Sequence, residues 1–144
     1  MTCLGVDYGE RRIGFAVSDE LGMTADPLMT LSYREAAEVW KKMTELLREL
    51  NIDMIVVGIP KRTSGEEGPE AKKVRAFIEE LKHHIQCAVE TWDERFSSRE
   101  ADRLLQELEI SPARKRQKRD AIAAKIMLQN YLDFKRIQGQ SCTN

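Results

Sequence analysis

Four acids in this chain, Asp7, the adjacent pair Asp93 and Glu94, and Asp120, stand where their side chains could do chemistry. Asp7 ends the apolar run Leu4-Gly5-Val6 and is followed by a turn containing Gly9, Arg11 and Arg12, with Gly14 beyond it. Cys87-Ala88-Val89-Glu90-Thr91-Trp92 closes in the same way, on Asp93 and Glu94. Asp120 precedes Ala124 by four residues and Met127 by seven, so it projects onto the apolar stripe of a final helix. A charge directed into a protein is costly unless it is paired or holds a metal. If the two acid-tipped strands are parallel neighbours, their C-terminal ends lie side by side and the acids converge. Such a cluster repels itself unless a cation neutralises it. Carboxylates without histidine or thiolate partners suit oxygen-seeking ions, Mg²⁺ or Mn²⁺. Two such ions about 3.5–4 Å apart would activate water and stabilise the leaving oxygen in phosphodiester cleavage. Neighbouring strand residues face opposite ways, so the sequence leaves open which of Asp93 and Glu94 turns inward. A plainer role for Asp120, favouring a helix N-terminus electrostatically, also stays open.

Basic residues surround these acids in the sequence. Arg11 and Arg12 follow the first, Arg95 follows the pair, and Arg114, Lys115, Arg116, Lys118 and Arg119 precede the last. Lys61 and Arg62 lie in a run from Ile59 to Pro69, broken by two glycines and two prolines and expected to be a mobile loop at a strand's C-terminal end. Ligand sites in α/β sheets favour that edge, which makes the two cations candidate phosphate contacts. The net charge of −1 gives no overall nucleic-acid footprint. The basic run before Asp120 is therefore either a solvated connection or a local phosphate-binding patch.

Other chemistries are disfavoured. Both histidines, His83 and His84, fall in the last turn of a helix, where a cation suits the dipole, and this argues against a Ser-His or Cys-His triad. Cys3, Cys87 and Cys142 are odd in number and widely separated, so they form neither a disulfide framework nor a CxxC zinc site. With no apolar run near the roughly 20 residues of a membrane span and no signal core at the N-terminus, a cytoplasmic protein without membrane contact is expected.

The elements that must position the acids follow from periodicity. Leu4 to Asp7, Arg12 to Asp19 and Leu21 to Leu31 read as an antiparallel three-strand meander, the third strand interrupted near Pro27. Ser32-Tyr33-Arg34-Glu35 has the form of a capping box opening a helix with Ala36, Trp40, Met43, Leu47 and Leu50 on its apolar face. Asp53 to Gly58 and Cys87 to Trp92 read as strands of a parallel section, separated by a helix carrying Ala71, Val74, Ile78, Leu81 and Ile85. Ser97-Ser98-Arg99-Glu100 forms a second capping box before Ala101, Leu104, Leu105 and Leu108. After Pro112 and the basic run comes the last helix, with Ala124, Met127, Leu128 and Tyr131 on one stripe. The expected architecture is α/β: a mixed five-stranded sheet with helices on both faces, one domain over residues 1–138 and a frayed tail over 139–144.

Four blocks in order carry a family resemblance. They are Asp7-Tyr8-Gly9 with Arg12-Ile13-Gly14 and Ser18-Asp19; Val57-Gly58-Ile59-Pro60 with Gly65 and Gly68; Asp93-Glu94-Arg95-Phe96-Ser97-Ser98; and Lys118-Arg119-Asp120-Ala121-Ile122-Ala123-Ala124 running into Leu128-Gln129-Asn130-Tyr131-Leu132. Over Leu4 to about Asp133 the sequence resembles the YqgF family, also called RuvX, within the RuvC-like and ribonuclease H-like nucleases. In the third block the family more often has leucine and threonine where this chain has Phe96 and Ser97. The resemblance implies a ribonuclease H-like fold and a metal-dependent endonuclease processing the 5′ end of the 16S ribosomal RNA precursor, with Asp7, one of Asp93 and Glu94, and Asp120 as catalytic, metal-binding acids. It also implies one alternative, Holliday junction resolution on branched DNA; the basic run before Asp120 motivates another, a weakly active nucleic-acid-binding module on ribosomal precursor particles. On any of these readings the partner is nucleic acid, structured RNA foremost.

Overall fold

A computed structural model describes residues 1–62, 64–94, 103, 106, 107 and 109–142, without the side chains of residues 116 and 140–142. The expected Ser97 capping box, the helix carrying Leu104, Leu105 and Leu108, and Arg95 lie outside the described residues. Strands β1 (Cys3–Asp7), β2 (Arg12–Ser18) and β3 (Ala25–Ser32) form the antiparallel meander, and β4 (Met54–Pro60) and β5 (Ala88–Glu94) continue the sheet in parallel. Between them run helices α1 (Ala36–Glu49) and α2 (Pro69–His84), and α3 (Pro112–Cys142) ends the chain.

The sheet order β3-β2-β1-β4-β5 corrects one expectation. The strands tipped by Asp7 and by Asp93-Glu94 are not neighbours: β4 lies between them, pairing with β1 on one side and β5 on the other. The interruption near Pro27 is a register shift, in which Phe15 faces Met29 and Ala16 faces Pro27 across the pair. A proline cannot donate to the ladder, and a bulge on the edge strand absorbs it.

The alternation of strand side chains divides the core in two. Leu4, Val6, Ile13, Phe15, Ile55, Val57 and Ile59 face α1 and α2 and pack with Val39, Met43, Leu46, Val74, Ile78 and Leu81. On the other face Cys3, Ala16 and Val56 pack with Ala124, Met127, Leu128 and Tyr131 of α3. The first face is filled by large branched and aromatic residues. The second is lined by small ones, and α3 lies close upon it. A Cβ on Gly14 would overlap the Asp120 backbone carbonyl, and one on Gly58 would stand 2.6 Å from Glu94 Oε2 and 3.2 Å from Met127 Cγ.

Four local expectations shift. Ser32 remains in β3, paired with Arg12, so α1 is capped three residues later by a box between Glu35 and Glu38. The buried stripe of α1 is Val39, Met43 and Leu46, with Trp40 only partly covered. The basic run does not precede α3 but forms its first turns: Ser111 Oγ accepts from the Arg114 N–H at 3.3 Å and the Ser111 carbonyl accepts from the Lys115 N–H at 3.0 Å. A serine cap followed by proline at the first helical position starts a helix well. At the other end the backbone is helical to Cys142, past the Gly139 at which a frayed tail was expected. One glycine costs a helix only about 1 kcal/mol and does not stop it.

Because the approach at Gly14 is to backbone, which cannot rotate away, Gly14→Ala should lower stability by about 1–3 kcal/mol in urea denaturation. A change under about 0.5 kcal/mol, the scale of an ordinary surface substitution, would show that α3 does not rest on β2 in this way.

Candidate active site

Strand parity sends Asp7 to the α3 face, with Cys3 and Gly5. By the same alternation Glu94, in step with Glu90 and Trp92, faces α3 too. Tyr131 of α3 donates to Glu90 at 2.5 Å and meets the Trp92 ring edge-on at 6.0 Å, which confirms that parity. Asp93 therefore points away. Its side chain is 57% exposed and pairs with Lys61 at 3.1 Å. Of the adjacent acids, Glu94 alone is turned toward Asp7.

The two meet across β4. The register pairs Val6 with Val57, which brings Asp7 opposite Gly58. The Glu94 carboxylate lies over that same glycine. Gly58 is thus the gap in which the two acids face each other, and any side chain there would occupy the space between them. Asp120, delivered by α3 over Gly14, approaches Asp7 from the β2 side.

The electrostatics follow from this packing. Burial raises the Asp7 carboxyl from its ordinary range to about 7, helped by the like charge of Asp120 and opposed by Arg119. Burial also raises Glu94 well above the usual carboxylate range, with Asp7 adding to the shift. Asp120 is raised by burial, against the pull of Arg12 and Arg119. Arg12 Nε stands 3.2 Å from Asp120 Oδ2, an ion pair without hydrogen-bond alignment, so this enclosed oxygen accepts no hydrogen bond. Among the described residues, no three acidic, histidine or cysteine side chains are gathered tightly enough to enclose an ion outright. Asp120 is turned to Arg12, and Glu94 is folded over Gly58.

The expected basic residues divide into groups. Arg11 and Arg12, together with Arg34, Tyr33 and Asp120, line an open groove of about 1090 Å³ at the β1–β2 turn. Arg119 lies near enough to act on both Asp7 and Asp120. Arg114 and Lys118 are exposed and Lys115 half-buried in the first turns of α3. Lys61 is held by Asp93, while Arg62 is exposed at a turn closed by its N–H on the Glu66 carbonyl at 2.9 Å.

Arg34 and Gly58 were not among the residues singled out for a site. Nothing local marks Arg34, which comes to the groove only because β3 returns beside the β1–β2 turn. Gly58 did carry a signal: a glycine ending the run Met54-Ile55-Val56-Val57 weakens a strand unless something needs the room. Asp19 and Gln129, which stand in the family blocks, have structural partners. Asp19 Oδ1 accepts from the N–H groups of Met23 and Thr24 at 2.7 and 3.2 Å. Gln129 accepts from the Ala25 N–H at 2.8 Å and donates to the Met23 carbonyl at 2.9 Å, tying α3 to the edge strand.

Known proteins with this arrangement are many. Residues 1–134 match the model of the RuvX family, described as Holliday junction resolvase. A protein of Bacillus cytotoxicus named “Putative pre-16S rRNA nuclease” is 39% identical over 94% of this chain and 100% of its own length. One of the same name from Symbiobacterium thermophilum is 43% identical over 90% of each. Among solved structures, Thermus thermophilus RuvC in complex with a Holliday junction superposes with a TM-score of 0.55 at 14% identity, covering 94% of this chain and 96% of that one. The fowlpox virus resolvase bound to junction DNA gives 0.53 at 15%, covering 92% and 97%. These last two show the fold, that of the RuvC-like, ribonuclease H-like enzymes. With a family model spanning nearly all of its length and relatives at about 40% identity, the chain belongs to the RuvX family of nucleases.

Proposed function

We propose that this chain is a divalent-metal-dependent endonuclease that trims the 5′ end of the 16S ribosomal RNA precursor, free or within precursor particles, in the cytoplasm. The observation that carries the reading is the enclosed Asp7 carboxylate with Glu94 and Asp120 on either side of it. An enclosed carboxylate with a like charge on each side calls for a cation. The names of the close relatives supply the substrate.

The donor set fits a hard cation. All three groups are carboxylates, and Asp120 Oδ2 is enclosed without a hydrogen bond. Asp7, Glu94 and Asp120 would hold Mg²⁺ or Mn²⁺, and Asp93, committed to Lys61, would not. When bound, such ions lower the pKa of a water and stabilise charge on the departing oxygen. The remaining work falls to the chain's own cations. Arg11, Arg12 and Arg34 in the groove, and Arg114, Lys118 and Arg119 on the first turns of α3, would draw the phosphate backbone across the acids. Cations at a helix N-terminus oppose the dipole, a cost that is understandable where an anion is to be bound. The family description favours a second reading, cleavage of branched DNA, at the same acids.

Purified protein with Mg²⁺ or Mn²⁺ should cut a precursor rRNA fragment faster than a four-way DNA junction of equal length; the reverse order would favour the second reading. Binding of both without cleavage of either would leave only an assembly module. Asp7→Asn, Glu94→Gln and Asp120→Asn should each slow cleavage at least about 100-fold, more than the loss of an outer partner of a metal ligand. Asp93→Asn should stay near the wild-type rate, and an Asp93→Asn loss matching that of Glu94→Gln would reverse the assignment of the pair.

The raised carboxyl of Asp7 also sets a pH dependence. Without metal, the folded protein keeps a proton that the unfolded chain gives up near 3.8. The stability this contributes is complete below that value and is lost as pH rises through about 7. Metal-free protein should therefore lose roughly 1–4 kcal/mol between pH 4 and 8 in denaturant titrations, a loss that Asp7→Asn reduces but, with Glu94 and Asp120 also raised by burial, does not abolish. Mn²⁺ should raise the melting temperature more at pH 8 than at pH 5, and an equal rise at both would count against binding at Asp7.

A further inference from the structure

Cleavage at the acids leaves the aromatic residues on the opposite face of β1 without a task. Tyr8, next after Asp7 and of opposite parity, stacks on Phe77 of α2 at 4.4 Å. Phe77 stacks on Trp40 of α1 at 5.5 Å, and Trp40 on His84 at 4.8 Å. Beside these rings opens a second cavity of about 360 Å³, its wall mostly apolar and formed in part by Tyr8, Tyr33, Trp40, Ala76 and Phe77. Glu10, Lys73 and Glu80 supply its charged groups. The Lys73 ammonium holds the Glu10 carboxylate at 2.5 Å, joining α2 to the β1–β2 turn.

This open depression falls at the lower end of the range of small-ligand sites, about 300–1,000 Å³. Its position is equally telling. Glu10 and Tyr33 line both this cavity and the basic groove that contains Asp120, so the two adjoin. A chain of nucleotides with its phosphates in the groove has bases to place at the groove's apolar side.

We propose that the aromatic cavity receives an unpaired nucleobase of the RNA whose backbone lies in the adjoining groove. The proposal rests on the nuclease reading and deepens it: β1 sends a carboxylate to one face for the cut and a tyrosine to the other for the base. Every base has an apolar π-face for such a wall, while Glu10 and Lys73 offer an acceptor and a donor to its edge. A paired base cannot enter, since its edge and faces are already engaged in the duplex. The site therefore selects RNA with a single-stranded segment beside the cleaved bond.

The test fills the cavity from outside. Ala76 is an exposed residue of α2 on its wall, and Ala76→Trp adds bulk there without touching the core. Affinities of the full-length protein, kept metal-free to prevent cleavage, would be read by fluorescence anisotropy for a single-stranded oligoribonucleotide and for the same sequence as a blunt duplex. Ala76→Trp should weaken single-strand binding about 5- to 150-fold and leave duplex binding unchanged. Ala76→Leu should act in the same direction to a smaller extent, which guards against misfolding of the larger variant. Single-strand affinity unaltered in both variants, with cleavage intact, would overturn the base site alone and leave the cavity to an apolar side chain of a protein partner. No cleavage of RNA by the wild type with Mg²⁺ or Mn²⁺ would overturn the rRNA-nuclease reading and this proposal with it.

Discussion

The enclosure of Asp7 beside two other carboxylates is the constraint on which the rest of this structure depends. Burial makes each acid favour its neutral form, and each like charge strengthens that preference in its neighbour. Such a grouping opposes folding at neutral pH, so stability must come from elsewhere. It comes from the other side of the sheet. There Leu4, Val6, Ile13, Phe15, Ile55, Val57 and Ile59 interlock with α1 and α2 in a core of large, fully covered side chains. One sheet thus has two faces with different duties, and the pleat lets a single strand serve both.

The α3 face shows what its duty demands. Its strand positions are small, Gly5, Gly14, Ala16 and Gly58, and at Gly14 the α3 backbone stands where a Cβ would be. Substituting larger residues would build a better core and lift α3 away. The acids would then part, because Asp120 travels with α3 and Glu94 reaches Asp7 only over Gly58. Gln129, bonded to β3, and Thr30, whose hydroxyl donates to the Gln117 carbonyl, hold α3 down along its length. Several residues of the family blocks are of this kind, structural staples that fix the distance between charges borne by others.

This division explains what could be read from the sequence. The meander, the two parallel strands and the acids at strand ends follow from alternation and from the oddness of a charge closing an apolar run. The position of β4 between β1 and β5 does not, since no local pattern records which strands pair across a helical crossover. The choice between Asp93 and Glu94 was hidden for a related reason. β5 is the edge strand and mixes apolar with polar residues on each side, Val89 with Thr91 on one and Ala88 and Trp92 with Glu90 on the other, so it carries no alternation to tell its sides apart. The shift of the α1 cap from Ser32 to Glu35 was invisible because Ser32 was taken up by pairing with Arg12, a contact made at long range. The groove and the aromatic cavity are products of chain return, and no short motif encodes either.

Arg12 ties these strands of argument together. It lies on β2 with the same parity as Gly14, and its guanidinium is the counter-charge nearest to Asp120. The pair is not deeply buried, with side chains 43% and 21% exposed, and a pair so open to water is held by no more than about 1 kcal/mol. Its geometry is also poor, for the carboxylate oxygen it faces accepts no hydrogen bond. A weak, misaligned ion pair suits a carboxylate that, on the proposed function, would exchange it for a divalent ion. The same arginine lines the groove, so on release from Asp120 it would be free to turn to a phosphate. On that reading one residue would stabilise Asp120 in the metal-free protein and, with a cation bound, offer its charge to a phosphate.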